Sequence, residues 1–233
     1  MTLILTCEHG GNDVPAEYDA LFQDADAVLI SHRGWDPGAL ELACEIAAEL
    51  ETPIYYGTWT RLLVELNRSL GEAALFSEFT RDLPEPDKQL LVAKHWHPFR
   101  HRVESHVGLS VAEGGHVLHL SVHTFTPELG GVVRDADIGI LFDPSRKAEV
   151  AVAQAWKFAL ETVAPELVVK FNYPYLGTDD GHTTGLRRRF PDPGYAGIEL
   201  EVNQKFPLHD KKRWAEVRNA IIESLRLVVD KKP

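Results

Sequence analysis

Four apolar runs of the sequence lead into short clusters of polar residues of the kinds that bind metals and move protons. The clusters are Glu8-His9-Gly10-Gly11, Glu65-Leu66-Asn67-Arg68, Ser121-Val122-His123 and Glu199-Leu200-Glu201. A short apolar run that stops at polar or turn-forming residues is typical of a buried strand. Ligands of α/β proteins bind beyond the carboxyl ends of the strands. We therefore expect the four clusters to share one cleft.

The order of apolar and amphipathic segments predicts an α/β fold. Strands are predicted at residues 2–7, 53–58, 62–66, 117–122, 138–142, 167–171 and 197–202, and helices at 37–50, 88–111, 150–162 and 211–229. Their alternation favours a three-layer α/β/α sandwich with a mostly parallel, mixed central sheet. Asp36 stands at the N-cap position of the first helix, with Pro37 in its first turn. No segment has the composition of a linker, so a single domain is predicted over residues 1–233.

The charge balance narrows the classes of partner. Lysine plus arginine total 24 against 35 acidic residues, and this net charge of −11 disfavours nucleic acid as a partner. No run approaches the roughly 20 apolar residues that span a bilayer, and the first residues lack the basic flank of a signal peptide. Two cysteines are too few for a disulfide framework. These features predict a cytoplasmic protein with neither a membrane nor a nucleic-acid partner.

Two histidines at the ends of predicted strands are candidate metal ligands. His9 precedes two glycines, which let a metal or a substrate approach the backbone, although an ordinary loop histidine has the same pattern. His123 ends a run too apolar to face water, so it is either a ligand or a hydrogen-bonded core residue. A catalytic zinc usually takes three protein ligands. Asp36 is favoured for the third place among four competing residues, Glu8, Asn12, Asp13 and Asp36, and an ordinary helix N-cap is the equally compatible alternative for it.

The remaining clusters offer a cation for a carboxylate and a candidate general base. Arg68, beside Asn67, presents a guanidinium fork that grips a carboxylate through two hydrogen bonds, unless the pair is simply solvated. Glu199 and Glu201 are two positions apart and are expected on one strand face, where repulsion raises a pKa. One of them is a candidate general base, and solvated acids of an edge strand are the alternative.

Residues 172–190 are predicted to form a mobile loop that contacts the substrate. The loop carries His182, Thr184 and three consecutive arginines, Arg187, Arg188 and Arg189. Long loops of this kind are often lids or binding loops, although a basic surface strip is the alternative. His119 shares a strand face with His123 and is interpreted as a satisfied core histidine or as a support for a ligand. A polar helix, and not a second metal site, explains His97 and His101.

Seven segments together resemble the N-formylglutamate amidohydrolase family. They are CEHGGNDVP, WDPGALELA, LVELNRS, HWHPFRHRVE, LSVHTF, GHTTGLRRRF and GIELEVNQ, which run in the family's order from residue 7 to about residue 206. That family is in turn similar to zinc carboxypeptidases and aspartoacylase-like deacylases, which implies a zinc-exopeptidase-like fold. Two departures are visible. The relatives' first metal motif is His-x-x-Glu, whereas Asn12 follows His9 at that spacing, and Asn203 stands where the family often has arginine.

The resemblance implies a metal-dependent amidohydrolase that cleaves N-formyl-L-glutamate into formate and L-glutamate. It implies Zn²⁺, or another divalent transition metal, bound by His9 and His123; it leaves the third ligand open among Asp36, Asn12 and Glu8, and Asp36 is our choice. Glu201, with Glu199, is the expected catalytic carboxylate. The small anionic N-acyl amino acid is expected to meet five residues: Asn67, Arg68, His182, Thr184 and Arg187. The alternatives are a carboxypeptidase-like or deacylase-like amidase, or a catalytically silent anion-binding module, and either a monomer or a homo-oligomer is compatible with the sequence.

Overall fold

The computed structural model describes residues 1–229, and a six-stranded mixed sheet forms its centre. The strands are β1 (Thr2–Cys7), β2 (Ile54–Tyr56), β3 (Val117–Phe125), β4 (Glu128–Leu129), β5 (Val132–Val133), β6 (Ile138–Leu141), β7 (Val169–Phe171) and β8 (Tyr195–Asn203). The sheet order is β2-β1-β3-β8-β6-β7, and β4 pairs with β5 in a separate hairpin. In this sheet, β2, β1, β3 and β8 are parallel to one another, whereas β6 and β7 run in the opposite direction. The carboxyl ends of β1, β2, β3 and β8 therefore meet at one edge.

Helices cover both faces of this sheet. They are α1 (Asp26–Leu29), α2 (Ala39–Glu49), α3 (Glu85–Leu91), α4 (His97–Ala112), α5 (Lys147–Val163), α6 (His182–Arg187), α7 (Lys205–His209) and α8 (Lys211–Val229). A π-helical segment, Val92–Trp96, joins α3 to α4, and two short 3-10 helices are Ala16–Phe22 and Ala73–Leu75. Within residues 1–229, no helix is both long and apolar enough to cross a bilayer.

The two faces of the sheet differ in polarity because side chains alternate along β3 and β8. One face is apolar and packs against α2, α5 and α8; its central residues are Leu118, Leu120, Val122, Ile198, Leu200 and Val202. The other face is polar and buried, and α4 and α6 lie over it; its central residues are His119, Ser121, His123, Glu199 and Glu201. The predicted α/β/α architecture with a mostly parallel, mixed sheet is confirmed.

Residues 62–66, predicted as a strand, form turns instead. The Leu63 backbone N–H donates to the carbonyl of Thr60 at 3.1 Å, which closes a turn. Leu63 is buried in a small apolar cluster with Phe22 and Leu91, apart from the main core. Burial in this separate cluster, and not strand pairing, explains why the run is apolar.

Asp36 does not cap the first long helix. The helix α2 begins at Ala39 and not at Pro37, and Gly38 before it has a φ of 85°, which glycine adopts without strain. The Asp36 side chain makes no capping hydrogen bond to α2. The prediction that Asp36 is the N-cap is therefore wrong, and its carboxylate is free to take part in the site.

Two other predicted segments differ from the structure in detail. The region predicted as a helix or kinked pair at 88–111 is continuous from Glu85 to Ala112 and is widened by the π-helical segment. Pro98, which has no N–H to donate, follows the π-helical segment by two residues. The predicted loop at 172–190 contains the helix α6.

Candidate active site

Two histidines and one carboxylate converge at the carboxyl edge of the sheet. The Oδ2 atom of Asp36 lies 3.2 Å from Nδ1 of His9 and 2.9 Å from Nδ1 of His123. All three residues are buried, and their potential ligand atoms lie within 4.8 Å of one another. We call these three residues the cavity cluster. Two imidazoles and a carboxylate match the three protein ligands of a catalytic zinc site.

The second nitrogen of each imidazole in the cavity cluster is held by a polar partner. Ser121 Oγ donates to Glu8 Oε2 at 2.8 Å, so it accepts from Nε2–H of His123, also at 2.8 Å. The carboxylate of Glu65 accepts from Nε2–H of His9. These contacts occupy Nε2 of both imidazoles and turn both Nδ1 atoms toward the same oxygen of Asp36. Metal-binding histidines are usually oriented by such partners.

The cavity cluster attracts positive charge. Burial by itself raises a carboxyl pKa, but the neighbouring His9, His123 and Arg61 hold the pKa of Asp36 far below its usual range. Burial also lowers an imidazole pKa, yet the hydrogen bond and charge of Asp36 raise the pKa of His123 to about 10. The guanidinium of Arg61 donates to Asp36 Oδ1 at 3.3 Å and to Glu65 Oε2 at 2.7 Å. Arg61 therefore neutralises charge within the site.

The two glutamates of β8 differ in their hydrogen bonds. Glu201 is paired in register with His123 across β3 and β8, and its Oε2 is buried with no hydrogen-bond partner in residues 1–229. Burial, together with nearby carboxylates, raises the pKa of Glu201 to about 8. Glu199 accepts a hydrogen bond from Thr183 Oγ1 at 2.5 Å. Glu201 is therefore the less engaged of the two cavity-lining carboxylates.

Asn67 and Arg68 lie at the edge of the same site. The Asn67 side-chain carbonyl accepts from the His182 backbone N–H at 2.6 Å, which ties this turn to the start of α6. Arg68 Nη1 donates to the carbonyl of Asp180 at 2.8 Å. The Asp180 carboxylate instead accepts from Ser69, so it does not neutralise Arg68. Within residues 1–229 no carboxylate oxygen lies within 4.0 Å of the Arg68 guanidinium.

A cavity of about 190 Å³ joins these groups. Seven of the residues predicted for the site line it: His9, Asp36, Asn67, Arg68, His123, Glu199 and Glu201. Its mouth has an apolar part that the sequence did not indicate, formed by Phe125, Leu129, Tyr175 and Leu176. The cavity thus combines a candidate metal site, a buried carboxylate and a free guanidinium.

The structure places three of the predicted substrate-binding residues outside the cavity. Arg187 is buried against Glu149, with 2.8 Å between Nε and Oε1. The Thr184 hydroxyl donates to a backbone carbonyl of the same loop, and His182 Nδ1 bonds to Glu8 Oε1 at 2.7 Å. The short helix α6 turns all three side chains away from the cavity. Of the five residues predicted to bind the substrate, Asn67 and Arg68 line the cavity.

The competitors of Asp36 for the third ligand position lie elsewhere. Asn12 donates to the carbonyl of Leu29 at 3.1 Å, and Asp13 is exposed on the far side of the loop's glycines. Glu8 is buried in a second group with His119 and His182, whose potential ligand atoms also lie within 4.8 Å of one another. We call this second group the core cluster.

Sequence reasoning missed two charged residues of the site. Glu65 belongs to the polar cluster Glu65-Leu66-Asn67-Arg68, but the sequence analysis gave it no function of its own, and it did not single out Arg61. Glu65 lies in the segment 62–66, which the sequence analysis predicted as a strand, and Arg61 lies just before it. Because Arg61 and Glu65 are four residues apart and of opposite charge, their spacing was the available signal, although it is also common on exposed helices.

Comparison with known proteins identifies the family to which the chain belongs. A family model described as N-formylglutamate amidohydrolase matches residues 1–207. A gene product of Agrobacterium tumefaciens of known crystal structure is 27% identical, with a TM-score of 0.84 over 98% of this chain and 90% of that one. The N-formylglutamate amidohydrolase of Ralstonia eutropha has the same fold at 14% identity, with a TM-score of 0.71 over 99% and 93% of the two chains. No curated protein matches by sequence search.

Proposed function

Since the chain belongs to the N-formylglutamate amidohydrolase family, we propose that it hydrolyses N-formyl-L-glutamate to formate and L-glutamate with the help of a divalent metal. One observation carries the proposal. The Nδ1 atoms of His9 and His123 meet one oxygen of Asp36 in a cavity that also holds the unpartnered oxygen of Glu201. Amide hydrolysis with an activated water needs these groups together.

His9, Asp36 and His123 would hold the metal, with zinc as the first candidate. The two nitrogens and one carboxylate oxygen are donors that zinc accepts, and they leave space for a substrate or water on the cavity side. When bound, zinc polarises the amide carbonyl and makes water acidic enough to lose a proton near neutral pH. Glu65, Ser121 and Glu8 keep the two imidazoles in the ligand tautomer.

Glu201 handles the protons of the reaction. Its free oxygen takes a proton from the attacking water as the water oxygen bonds to the formyl carbon. The carbon–nitrogen bond then breaks, and Glu201 returns the proton to the leaving amine. For the first step Glu201 must be ionised, although burial raises its pKa to about 8. A cation on the neighbouring ligands lowers that pKa and favours the ionised form.

Arg68 seats the α-carboxylate, and the cavity size favours a small acyl group. Its guanidinium has no carboxylate partner within residues 1–229, and the backbone around Asp180 orients it. A volume of about 190 Å³ is below the roughly 300–1,000 Å³ of pockets that enclose drug-sized ligands. Formyl, the smallest acyl group, therefore fits better than a peptidyl group.

The test is formate release by purified protein supplied with zinc. We expect formate and glutamate in equal amounts from N-formyl-L-glutamate, and near-stoichiometric zinc by elemental analysis. His123→Ala is the matched loss-of-ligand variant, and it should lose both zinc and activity. Wild-type activity in that variant, or no turnover of any formyl, acetyl or peptidyl substrate by zinc-loaded protein, would overturn the proposal.

A further inference from the structure

We propose that Arg134 is a second anion-binding residue of the cavity and receives the side-chain carboxylate of the substrate. This inference rests on the proposed function and adds to it the basis for choosing a dicarboxylate. Arg134 follows the hairpin of β4 and β5, beside the cavity mouth. The sequence analysis did not single it out and expected Arg187, in the loop at 172–190, to meet the substrate.

The guanidinium of Arg134 lies against the cavity wall. Its Cζ atom is 5.0 Å from the ring centroid of Tyr175 and 5.9 Å from that of Phe125. Nη1 donates to the Tyr175 hydroxyl at 3.2 Å and is 3.5 Å from the carbonyl of Thr126. Tyr175, Phe125 and Thr126 all line the cavity. Stacking on two rings holds the planar guanidinium in place and leaves its other nitrogens free.

The charge of Arg134 is not neutralised by a neighbour. Within residues 1–229 no carboxylate oxygen lies within 4.0 Å of its guanidinium, and the adjacent Asp135 pairs with Lys170 at 2.6 Å instead. The chain carries a net charge of −11, so a half-buried arginine without an acidic partner is unexpected on general grounds. An anion that is not part of the protein is the natural partner for such a group.

The other candidate arginines are engaged elsewhere. Arg61 pairs with Asp36 and Glu65. Arg187 pairs with Glu149, and Arg189 pairs with Glu104 on α4. Arg188 lies 3.8 Å from a carboxylate oxygen of Asp180, and 63% of its side chain is exposed. Two guanidinium groups at this cavity therefore have no carboxylate partner in the part of the chain that the structure describes. They are Arg68, which lines the cavity, and Arg134, which contacts the lining residues Tyr175 and Phe125.

Asn203 holds the backbone at Arg134 in place, and the charge of Arg134 affects a residue that lines the cavity. Asn203 Nδ2 donates to the backbone carbonyls of Arg134 at 3.3 Å and Ala136 at 2.9 Å, which anchors this segment to the end of β8. Burial lowers the pKa of His32, a cavity-lining residue, and the charge of Arg134 lowers it further. Two guanidinium groups on different parts of one cavity suit two carboxylates of one substrate.

The experiment compares N-formyl-L-glutamate with N-formyl-L-glutamine, which has nearly the same shape and lacks the second charge. Both turnover and binding by calorimetry are measured for zinc-loaded wild type, Arg134→Gln, Arg134→Lys and the exposed control Arg102→Gln. Loss of one charge-assisted contact corresponds to about a tenfold to hundredfold effect. We expect wild type to prefer the glutamate compound by that factor, Arg134→Gln to lose the preference, Arg134→Lys to keep part of it, and Arg102→Gln to keep it all.

The outcomes separate this inference from the proposed function. If the protein turns over both compounds and Arg134→Gln keeps the wild-type preference, the inference is wrong and the proposed function stands. If wild type binds the glutamate compound preferentially without cleaving it, and Arg134→Gln abolishes the preference, the inference holds and the proposed function fails. If wild type neither binds nor cleaves either compound, both fail.

Discussion

The cavity cluster and the core cluster each bring two histidines and one carboxylate within ligand distance, yet their hydrogen bonds differ. In the cavity cluster, His9 and His123 direct Nδ1 at a single oxygen of Asp36. In the core cluster, both nitrogens of His119 are occupied, by the hydroxyls of Tyr195 at 2.7 Å and Thr6 at 2.8 Å. The ligand atoms are therefore close together in both clusters, but two Nδ1 atoms face one carboxylate oxygen in the cavity cluster alone. In the core cluster, the imidazole nitrogen without a partner within residues 1–229 is Nε2 of His182.

The pKa values of the histidines also differ between the two clusters. Asp36 overrides the effect of burial and raises the pKa of His123 to about 10. Burial lowers the pKa of His119 to about 3 and that of His182 to about 4, so these two imidazoles are neutral at pH 7. One cluster is built to hold positive charge and the other to exclude it. Because both clusters are buried, the hydrogen-bond partners of a histidine determine whether its imidazole carries charge.

The largest predicted effect removes the carboxylate of the cavity cluster. Asp36→Asn keeps the shape but replaces one oxygen by an N–H donor group, so we expect loss of bound zinc and a fall in kcat/KM of about 10³-fold or more, which corresponds to several kcal/mol of lost metal assistance. Elemental analysis and formate release measure the two effects. His119→Gln is the matched control from the core cluster and should retain zinc. Equal zinc loss in both variants would mean that the clusters do not differ as proposed.

Glu201→Gln separates proton transfer from metal binding. The variant keeps a side chain of the same size at the cavity but cannot accept a proton, so we expect kcat to fall by about 10²–10⁴-fold. Zinc content should stay at the wild-type level, because Glu201 is not part of the cavity cluster. Glu199→Gln is the control, since Glu199 already accepts from Thr183. A larger loss of kcat in Glu199→Gln than in Glu201→Gln would reverse the assignment of the base.

The sequence predicted the polar residues at the strand ends of the cavity better than the residues around them. His123 and Glu201 were found because each interrupts an apolar strand, where a polar group needs a specific reason to be buried. Thr184 and Arg187 were misplaced because a loop's composition does not reveal the direction of its side chains, and α6 turns them away from the cavity. Arg134 was missed because its partners, the rings of two distant segments, are adjacent only in the folded chain.

The secondary-structure elements were likewise predicted with unequal success. Long elements with a clear period, such as β8 and α8, were located closely, because burial on one face fixes their pattern. Residues 62–66, which form turns, were predicted as a strand, because an apolar run buried in a small separate cluster has no period of its own. The apolar pattern records burial and does not record its geometry.

Glu8→Gln tests whether the core cluster supports the cavity cluster. One Glu8 oxygen accepts from Ser121, which orients His123, and the other accepts from His182. An amide cannot accept at both ends, so we expect zinc affinity to fall by about 10–100-fold, as is usual when a partner of a metal ligand is removed. Competition with a chelator measures the affinity. Ser121→Ala should show a loss of similar size. Wild-type zinc affinity in both variants would show that the core cluster does not support metal binding by the cavity cluster.

The smallest predicted effect concerns the acid stability of the core cluster. Burial lowers the pKa of His119 to about 3, whereas an unfolded histidine titrates near 6.5, so the unfolded chain gains a proton that the folded chain excludes. Stability is therefore lost as the pH falls from about 6.5 toward 3, and His119 accounts for about 2 kcal/mol of that loss by pH 5. Urea unfolding of zinc-free protein at pH 7 and pH 5 measures it. His119→Gln removes the titrating group, so its unfolding free energy should change less between the two pH values than that of wild type. The exposed control His101→Gln should change as much as wild type, and an equally steep change in His119→Gln would show that His119 is not held neutral by the fold.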